Sequence, residues 1–454
     1  MKQMKTFELK FAKFGPIKDA TFTASEFSVL CGKNNTGKSF CMHAFFCFLS
    51  MWRKKIRQVV KQEHLAQIVE NKKIEISVGD YVYELNKWIQ DALPAFREAL
   101  PVLLKKDSLK GKDYYFDVRI NDEYARSVLT QAGYTITVGI NAECKMIGDT
   151  KSGDDKIEIR VDSKGELFPK ESEIVEAFNS TIWYLFVHRI LPRPVLLTAE
   201  RSGSVLYGDD VRNYSFSLVQ AISGESVGDE DSILENAPAK YAYPYAEELR
   251  GIWDNKSHPP AVKPDGAINV LLETFSRVVD GEYIEKDGNV FYRQRDTDLK
   301  LLVDEVSTSV RAMTQLNYFI KRIRGINPML MIDEPELNLH PERQRALARL
   351  LAKLVNVGGT SVMITTHSDY IVRELNSLIA FGGDGKRLSQ VALDMGYEKN
   401  EFISPTDIAC GVVEDGRIDQ VDFQRGETFV VPSFDDTISK IDKVQMAIRN
   451  VLCD

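Results

Sequence analysis

One eight-residue stretch constrains this chain more than any other. It runs from Gly32 to Ser39, reads GKNNTGKS, and fits the pattern GxxxxGK followed by Ser or Thr. The apolar run Phe27–Cys31 before it predicts a buried strand, and the apolar run Phe40–Trp52 after it predicts a buried helix. This is the strand, loop and helix context in which the pattern binds phosphate groups. The sequence therefore predicts a phosphate-binding loop made of Gly32, Lys33, Asn34, Asn35, Thr36, Gly37, Lys38 and Ser39.

The residue types in this loop suit a nucleoside triphosphate and its metal ion. Two glycines let the backbone turn tightly, so that N–H groups and the positive end of the following helix can face the phosphates. We expect Lys38 to contact the β and γ phosphates and Ser39 to offer its hydroxyl to Mg²⁺, a hard cation that prefers oxygen ligands. A purely structural turn is the alternative, but Lys-Ser in register with both glycines disfavours it. ATP and Mg²⁺ are the predicted cofactors.

Composition limits the class of protein. The chain has 454 residues, enough for two or three lobes, with 44% apolar and 27% charged residues. No run of 18 or more apolar residues predicts a membrane span, and the first 14 residues alternate like a strand and lack a signal-peptide pattern. We therefore expect a cytoplasmic protein without membrane association. Six scattered cysteines without a CxxC predict neither a zinc site nor a disulfide framework, and a net charge of −8 disfavours a uniformly basic nucleic-acid binder.

A second apolar strand supplies two carboxylates. The run Asn327–Ile332 ends in Asp333 and Glu334, and the carboxyl end of a central strand is where such sheets bind ligands. We expect Asp333 to hold Mg²⁺, directly or through water, and Glu334 to orient or deprotonate the water that attacks the γ phosphate. An Asp-Glu pair alone is often only a turn. Beside the phosphate-binding loop, however, it completes one known kind of site.

A third apolar strand, Ser361–Thr366, ends in His367. A lone histidine is usually structural, yet one at this edge of the sheet can hydrogen-bond the γ phosphate and report its presence. We therefore include His367, with Lys38 and Glu334, among the predicted catalytic residues.

The chain divides into three predicted parts: an N-terminal lobe over residues 1–203, a helical insert over 204–298 and a C-terminal lobe over 299–454. In the first lobe we predict a hairpin at Gly15-Pro16, a strand or hairpin over Lys73–Leu85, and helices over Trp88–Leu104 and Glu171–Ile190. In the insert we predict helical pieces over 211–222, 245–253 and 269–279. Val412–Gly416 resembles the acidic start of a Toprim nuclease, but a plain hairpin turn is favoured, followed by a last helix over 435–452.

Together these motifs resemble the ABC-type ATPase heads of the SMC and RecF kind, and most closely the ATPase half of the OLD (overcoming-lysogenisation-defect) family. The run from Asp333 to Pro341, DEPELNLHP, is similar to that family's DEPExxLHP, whose later part is a D-loop at a dimer interface. Thr366-His367-Ser368 resembles its switch histidine, and Thr198–Gly203, TAERSG, resembles its PAERxG segment. The middle of the first lobe, roughly residues 107–193, carries little of the resemblance.

The resemblance implies an α/β fold, an ABC-type P-loop ATPase head with a mixed sheet, a helical lobe before the signature helix and no long coiled coil. The segment from Val306 to Arg311, VSTSVR, looks like the serine-rich signature but lacks the Leu-Ser-Gly-Gly-Gln of transporters. Ser307 and Ser309 are then expected to bind the γ phosphate of a partner subunit's ATP. From the residues alone, a Ser/Thr helix cap without a ligand is nearly as good an explanation.

The resemblance also implies a partner. OLD proteins carry a Toprim nuclease after the ATPase, which this sequence does not show, so it is similar to the stand-alone ATPases of bacterial anti-phage systems such as Septu and PARIS. We expect an ATP-driven homodimer or higher oligomer that controls a separate effector, a nuclease or toxin. The alternatives are a RecF-like DNA-repair ATPase that acts on DNA itself and, disfavoured by the missing signature, the motor of a membrane importer.

Overall fold

The computed structural model describes residues 6–52, 62–130, 133–151, 153–163, 169–206, 242–248, 265–286, 289–322, 327–383, 385–423, 429–431 and 442–446. Its strands are β1 Phe7–Phe14, β2 Ile17–Ala24, β3 Phe27–Cys31, β4 Lys73–Ser77, β5 Tyr115–Ile120, β6 Tyr134–Gly139, β7 Cys144–Thr150, β8 Lys156–Ser163, β9 Arg193–Leu197, β10 Gly281–Lys286, β11 Asn289–Gln294, β12 Lys300–Leu302, β13 Pro328–Asp333, β14 Ser361–Thr366, β15 Ile408–Glu414 and β16 Arg417–Gln420.

The α-helices are α1 Lys38–Cys47, α2 Gln62–Asn71, α3 Val78–Leu103, α4 Asp122–Thr130, α5 Glu171–Ile182, α6 His188–Ile190, α7 Gly266–Val279, α8 Thr308–Ala312, α9 Thr314–Lys321, α10 Pro341–Asn356, α11 Asp369–Gly383 and α12 Gly385–Asp394. Residues 201–206, 243–248 and 442–446 are also helical. Within the described ranges, no helix is both long enough and apolar enough to cross a lipid bilayer.

A six-stranded sheet in the order β16-β15-β3-β14-β13-β9 forms the centre of the molecule. The pairs β15–β3, β3–β14, β14–β13 and β13–β9 are parallel, and only β16 pairs antiparallel, so the sheet is mixed. Because β3, β13 and β14 are adjacent and parallel, their carboxyl ends meet at one edge. The fold is therefore α/β with a mixed sheet, as the sequence predicts.

Side chains from the central strands alternate between two apolar cores. Leu30, Met331 and Met363 enter one core, whereas Leu330 and Ile364 enter the other. A strand buried on both faces is continuously apolar, which explains the unbroken runs that mark these strands in the sequence. The sheet is thus covered on both sides.

Two antiparallel sheets belong to the first 163 residues. The order of one is β2-β1-β5, with the predicted turn at Gly15-Pro16 confirmed by the pairing of Phe14 with Ile17. The order of the other is β4-β8-β7-β6. The first packs its apolar face on the same core as α1, which fixes the helix that carries the phosphate-binding loop.

The predicted strand or hairpin over Lys73–Leu85 is wrong in its second half. Only Lys73–Ser77 is a strand, and a 26-residue helix, α3, begins at Val78. Val78, Val82, Leu85 and Ile89 are all buried, at spacings of three and four residues that place them on one helix face. The aromatic side chains in this stretch favour a strand, but its buried residues have the spacing of a helix, which is the structure observed.

The stretch assigned to a helical insert also contains a sheet. Helix α7 covers the predicted piece 269–279, and β10 and β11 follow it within this stretch, in an antiparallel sheet that β12 completes just beyond residue 298. The predicted helix 211–222 lies outside the described residues, and of 245–253 only the start is described, as part of the helix 243–248. The three-part division of the chain stays a prediction.

Near the C-terminus, the favoured hairpin is confirmed. Strands β15 and β16 pair across Asp415-Gly416, with Glu414 opposite Arg417. Of the predicted last helix, 442–446 is helical and the remainder lies outside the described residues.

Candidate functional site

The phosphate-binding loop lies between β3 and α1, and two glycines shape it. Gly32 has a φ of +145° and Gly37 one of +105°. A Cβ on Gly32 would lie 2.4 Å from the carbonyl oxygen of Val413, on the neighbouring strand β15. A side chain at this position would therefore require both a strained backbone and a shift of β15.

Helix α1 begins at the end of this loop without a side-chain cap. Its N-cap is Gly37, so no side chain accepts from the first N–H groups. Lys33, Asn34 and Asn35 in the loop are exposed to solvent. Uncapped N–H groups at the positive end of a helix form a site for an anion.

Lys38 closes the loop on itself. Its Nζ donates to the carbonyl oxygens of Gly32 at 2.9 Å and Lys33 at 2.6 Å. Burial lowers the pKa of Lys38, although Glu334 and Asp333 counteract this effect. The ammonium group is thus held beside the loop with carbonyl partners alone, where a phosphate could replace them.

Asp333, at the end of β13, meets Ser39 as predicted. Ser39 Oγ donates to Asp333 Oδ1 at 2.7 Å, and Thr365 Oγ1, on β14, donates to the same oxygen. His43 Nε2 lies 3.4 Å from Asp333 Oδ2. Burial raises the pKa of Asp333, but His43, Thr365 and Ser39 outweigh it, so the net pKa is lowered and the carboxylate stays ionised.

Glu334 and His367 also lie together. His367 Nδ1 is 3.5 Å from Glu334 Oε1 and 3.3 Å from Glu336 Oε1. Glu336 is buried and accepts from the backbone N–H of His367 at 2.7 Å and from Thr366 Oγ1 at 2.8 Å. The proximity of Glu334 raises the pKa of His367, and burial raises the pKa of Glu336.

The predicted signature serines form a helix cap. Ser307 Oγ accepts from the backbone N–H of Val310 at 3.5 Å and shares a 2.9 Å hydrogen bond with Ser309 Oγ. Ser307 is exposed and Ser309 half-buried. Within the described part of the chain, neither hydroxyl forms a hydrogen bond with the phosphate-binding loop. The structure thus brings Lys38, Ser39, Asp333, Glu334 and His367 together, whereas the hydrogen bonds it shows for the Ser307 and Ser309 hydroxyls are those of the helix cap.

Sequence reasoning missed three residues at this site, His43, Thr365 and Glu248, and gave a fourth, Arg201, no defined part. His43 follows Ser39 by one helical turn, and Thr365 pairs with Asp333 in the sheet, so spacing could have found both. Arg201 donates to carbonyl oxygens after β13, and Glu248 accepts from Thr198 at the end of β9. The TAERSG resemblance suggested an unspecified coupling role near the nucleotide for the segment that contains Arg201, and nothing in the sequence marks Glu248.

The residues present fit a magnesium–nucleotide complex. His43 Nε2 is buried and lies 3.4 Å from Asp333 Oδ2, with no other polar partner among the described residues. The two oxygens of Asp333, with the Ser39 hydroxyl, form a hard ligand set. Within the described ranges, no group of three or more His, Cys, Asp or Glu side chains is placed to hold a metal ion. A Mg²⁺ ion here would therefore need oxygens from the nucleotide and from water beside Ser39 and Asp333.

Comparisons with known proteins agree with an ATPase. Residues 231–372, less than half of the chain, match the family described as AAA ATPase domain. No curated protein matches the chain. With the site geometry, the family match supports an ATPase of the AAA/ABC type.

Among solved structures, the chain is similar to an SMC head bound to the C-terminal winged-helix domain of ScpA, at 11% identity and a TM-score of 0.36, covering 92% of this chain and 98% of that one. It is also similar to the SMC head from Thermotoga maritima, at 11% identity and a TM-score of 0.30, over 93% and 99% of the two chains. For the recombination mediator protein RecF the identity is 12%, the TM-score 0.30 and the coverage 93% and 100%. The fold class itself rests on the strand order given above.

Proposed function

We propose that this protein is a Mg²⁺-dependent ATPase that acts as a switch. The observation that carries the proposal is the meeting of five side chains at the carboxyl edge of β3, β13 and β14: Lys38, Ser39, Asp333, Glu334 and His367. The resemblance of the sequence to OLD-family ATPases adds that the ATP-bound form dimerises and controls a separate effector in phage defence.

Each side chain has a defined part in this proposal. Lys38 and the N–H groups at the start of α1 bind the β and γ phosphates. Ser39 and Asp333 hold the metal ion, which when bound neutralises charge on those phosphates. Glu334 accepts a proton from the attacking water, because its carboxylate is partly exposed and water can reach it. His367 contacts the γ phosphate and is held in place by Glu336.

Glu334→Gln tests the catalytic assignment. The amide keeps the shape of the side chain but cannot accept a proton, so the hydrolysis rate should fall by about 10² to 10⁴ while ATP affinity stays unchanged. Phosphate release and retained ATP are measured on the same sample. Asp333→Ala should instead weaken Mg²⁺-dependent nucleotide binding.

The matched control is Glu342→Gln, an exposed glutamate in the first turn of α10. It should hydrolyse ATP at the wild-type rate. Near-normal turnover by Glu334→Gln would show that another residue is the base and would overturn the assignment of this strand end.

Dimerisation has its own test. Ser307→Arg and Ser309→Arg add bulk where we propose that the partner subunit's ATP docks, so association driven by a slowly hydrolysed ATP analogue should be lost, while nucleotide binding persists. Sedimentation measures both states, and Thr297→Arg, in an exposed turn, is the control. Unchanged association of both serine variants would place the interface elsewhere.

The effector proposal rests on the sequence resemblance. A neighbouring gene that encodes a nuclease or toxin, and whose product binds the Glu334→Gln form more tightly than the nucleotide-free form, would support it. Salt-dependent stimulation of hydrolysis by duplex DNA, without any such partner, would favour the RecF-like alternative.

A further inference from the structure

Arg201 is the largest fully buried side chain that the structure describes, at 1% exposure. It begins the helix 201–206, directly after the turn that follows β9. A guanidinium group carries its charge at every physiological pH, so burying it without compensation is costly. Its contacts must therefore account for its position.

Within the part of the chain that the structure describes, its hydrogen bonds all go to backbone carbonyl oxygens, and three of these belong to consecutive residues. Nη1 donates to Asp333 at 2.9 Å and to Thr198 at 3.1 Å. Nη2 donates to Glu334 at 3.0 Å and to Pro335 at 3.2 Å. Three successive carbonyl dipoles that converge on one point repel one another unless a cation lies between them. The guanidinium group supplies that cation.

The turn after β13, whose carbonyl groups Arg201 binds, is strained. Glu334 has a φ of +48°, in the left-handed region that non-glycine residues enter at a cost of about 1 kcal/mol or more. From the other side, the N–H of Glu334 donates to Thr365, to its carbonyl oxygen at 3.1 Å and its hydroxyl at 3.2 Å. The peptide groups on both sides of Glu334 are thus fixed, and with them the direction of its Cα–Cβ bond.

Arg201 is itself held from a distant part of the chain. Glu248 accepts from the N–H of Thr198 at 3.0 Å and from its hydroxyl at 2.5 Å, and from Ser204 Oγ at 3.3 Å. These bonds fix both sides of the turn from which Arg201 extends. Burial lowers the pKa of Arg201, and among the charges that oppose this effect the Glu248 carboxylate contributes most.

We infer that Arg201 is a positioning residue, which aims the Glu334 carboxylate at the attacking water by clamping the carbonyl groups of Asp333, Glu334 and Pro335. This inference rests on the proposed function, because it gives Glu334 the part of the base. Arg201 does not reach the substrate and acts only through the turn. Lysine keeps the charge but not the planar fork that spans four oxygens, so it should replace arginine only in part.

The experiment is a double-mutant cycle on the full chain. Arg201→Lys and Arg201→Ala should lower kcat about 10-fold and about 100-fold, as expected for misplaced catalytic groups, with nucleotide affinity within about 3-fold of wild type. In the Glu334→Gln background, either substitution should lower kcat by less than about 2-fold further, because a residue acting through Glu334 has no effect once the base is gone.

Arg189→Lys is the matched control. This second buried arginine also donates to a backbone carbonyl, that of Val128, but lies in α6, four residues before β9 begins. It should lower the Tm without changing kcat. If Arg201→Ala does not fold, Arg201→Lys still tests the inference.

Three outcomes separate the two claims. If Glu334→Gln alone lowers kcat as expected, and the double variant lowers kcat by the product of the two single losses, the role of Arg201 is overturned and the proposed function stands. If the Arg201 variants show a lower nucleotide affinity and a lower Tm but an unchanged kcat, Arg201 has a structural role only. A normal rate in Glu334→Gln would overturn the proposed function itself.

Discussion

The two halves of the site are held in different ways. The phosphate-binding loop is shaped by its own residues: Gly32 and Gly37 adopt positive φ values, and Lys38 bonds back to carbonyl groups five and six residues earlier. The turn after β13 depends on residues far away, since Thr365 and Arg201 hold it from 31 and 133 positions along the chain.

This contrast predicts how each half responds to substitution. Removing a ligand-contacting side chain from the loop should abolish binding and leave the fold intact. Removing a support from the turn should lower both stability and the rate of hydrolysis, because the turn has a strained residue, Glu334, that other segments must hold.

The largest effect is expected for Lys38→Ala. Among the described residues, Lys38 donates only to the carbonyl oxygens of Gly32 and Lys33, so its loss removes a phosphate contact and no apolar packing. ATP binding should fall below detection, while circular dichroism and the Tm stay close to those of the wild type. A labelled nucleotide measures the binding.

Lys33→Ala is the control for this prediction. Lys33 is exposed, and its Nζ lies 3.5 Å from Glu414 Oε1 in a solvent-exposed ion pair worth less than about 1 kcal/mol. Its loss should change ATP affinity by less than about 10-fold. Tight ATP binding by a folded Lys38→Ala variant would contradict the assignment of the loop from Gly32 to Ser39.

A medium effect is expected for Thr365→Val, which removes a support of the turn after β13. The substitution keeps the side-chain shape but removes the hydroxyl that donates to Asp333 and accepts from the N–H of Glu334. Hydrogen bonds to charged groups contribute about 1.5 to 3 kcal/mol, so we expect a loss of that size in the free energy of unfolding. The value of kcat/KM should fall about 10-fold with it.

The other end of β14 offers a matched threonine. Thr360, directly before the strand, is also buried, but its hydroxyl forms just one long hydrogen bond among the described residues, 3.4 Å to the carbonyl oxygen of Gly358. Thr360→Val should cost about 1 kcal/mol or less and leave kcat/KM unchanged. Equal losses for both threonines would show that β14 contributes stability alone and does not support the turn.

The same contrast explains what the sequence could predict. Gly32–Ser39 specify their own geometry, and Asp333, Glu334 and His367 end apolar strands, so local patterns located all of them. Parallel pairing of those strands then placed them together. His43 and Thr365 could have been located from their spacing, one helical turn after Ser39 and opposite Asp333 in the sheet. Arg201 and Glu248 act through contacts between distant segments, which no local pattern encodes.

Local patterns also failed where two periodicities overlapped. The alternation of Ile74 and Ile76 predicts a strand, and we expect that strand to continue to Leu85. The structure instead ends it at Ser77 and buries Tyr81 and Leu85 on one face of α3. For Ser307, the residues were compatible with a cap or a ligand contact, and the structure shows the cap. The contact with a partner subunit's ATP stays a prediction.

The smallest effect is expected for the pH dependence of His367. Its pKa is raised above the ordinary value of 6.5, chiefly by Glu334, so the protonated form is favoured in the folded state. The stability it contributes is fully present below pH 6.5 and is lost as the pH rises through the raised pKa. About a third of the side chain is exposed, so solvent screening limits the contribution to less than about 1 kcal/mol.

The difference in unfolding free energy between the wild type and His367→Gln, measured by urea titration at pH 6 and pH 9, should therefore shrink with rising pH. Glu334→Gln should abolish most of this pH dependence because it removes the main partner of His367, whereas a difference that grows with pH would show that the two side chains are not paired.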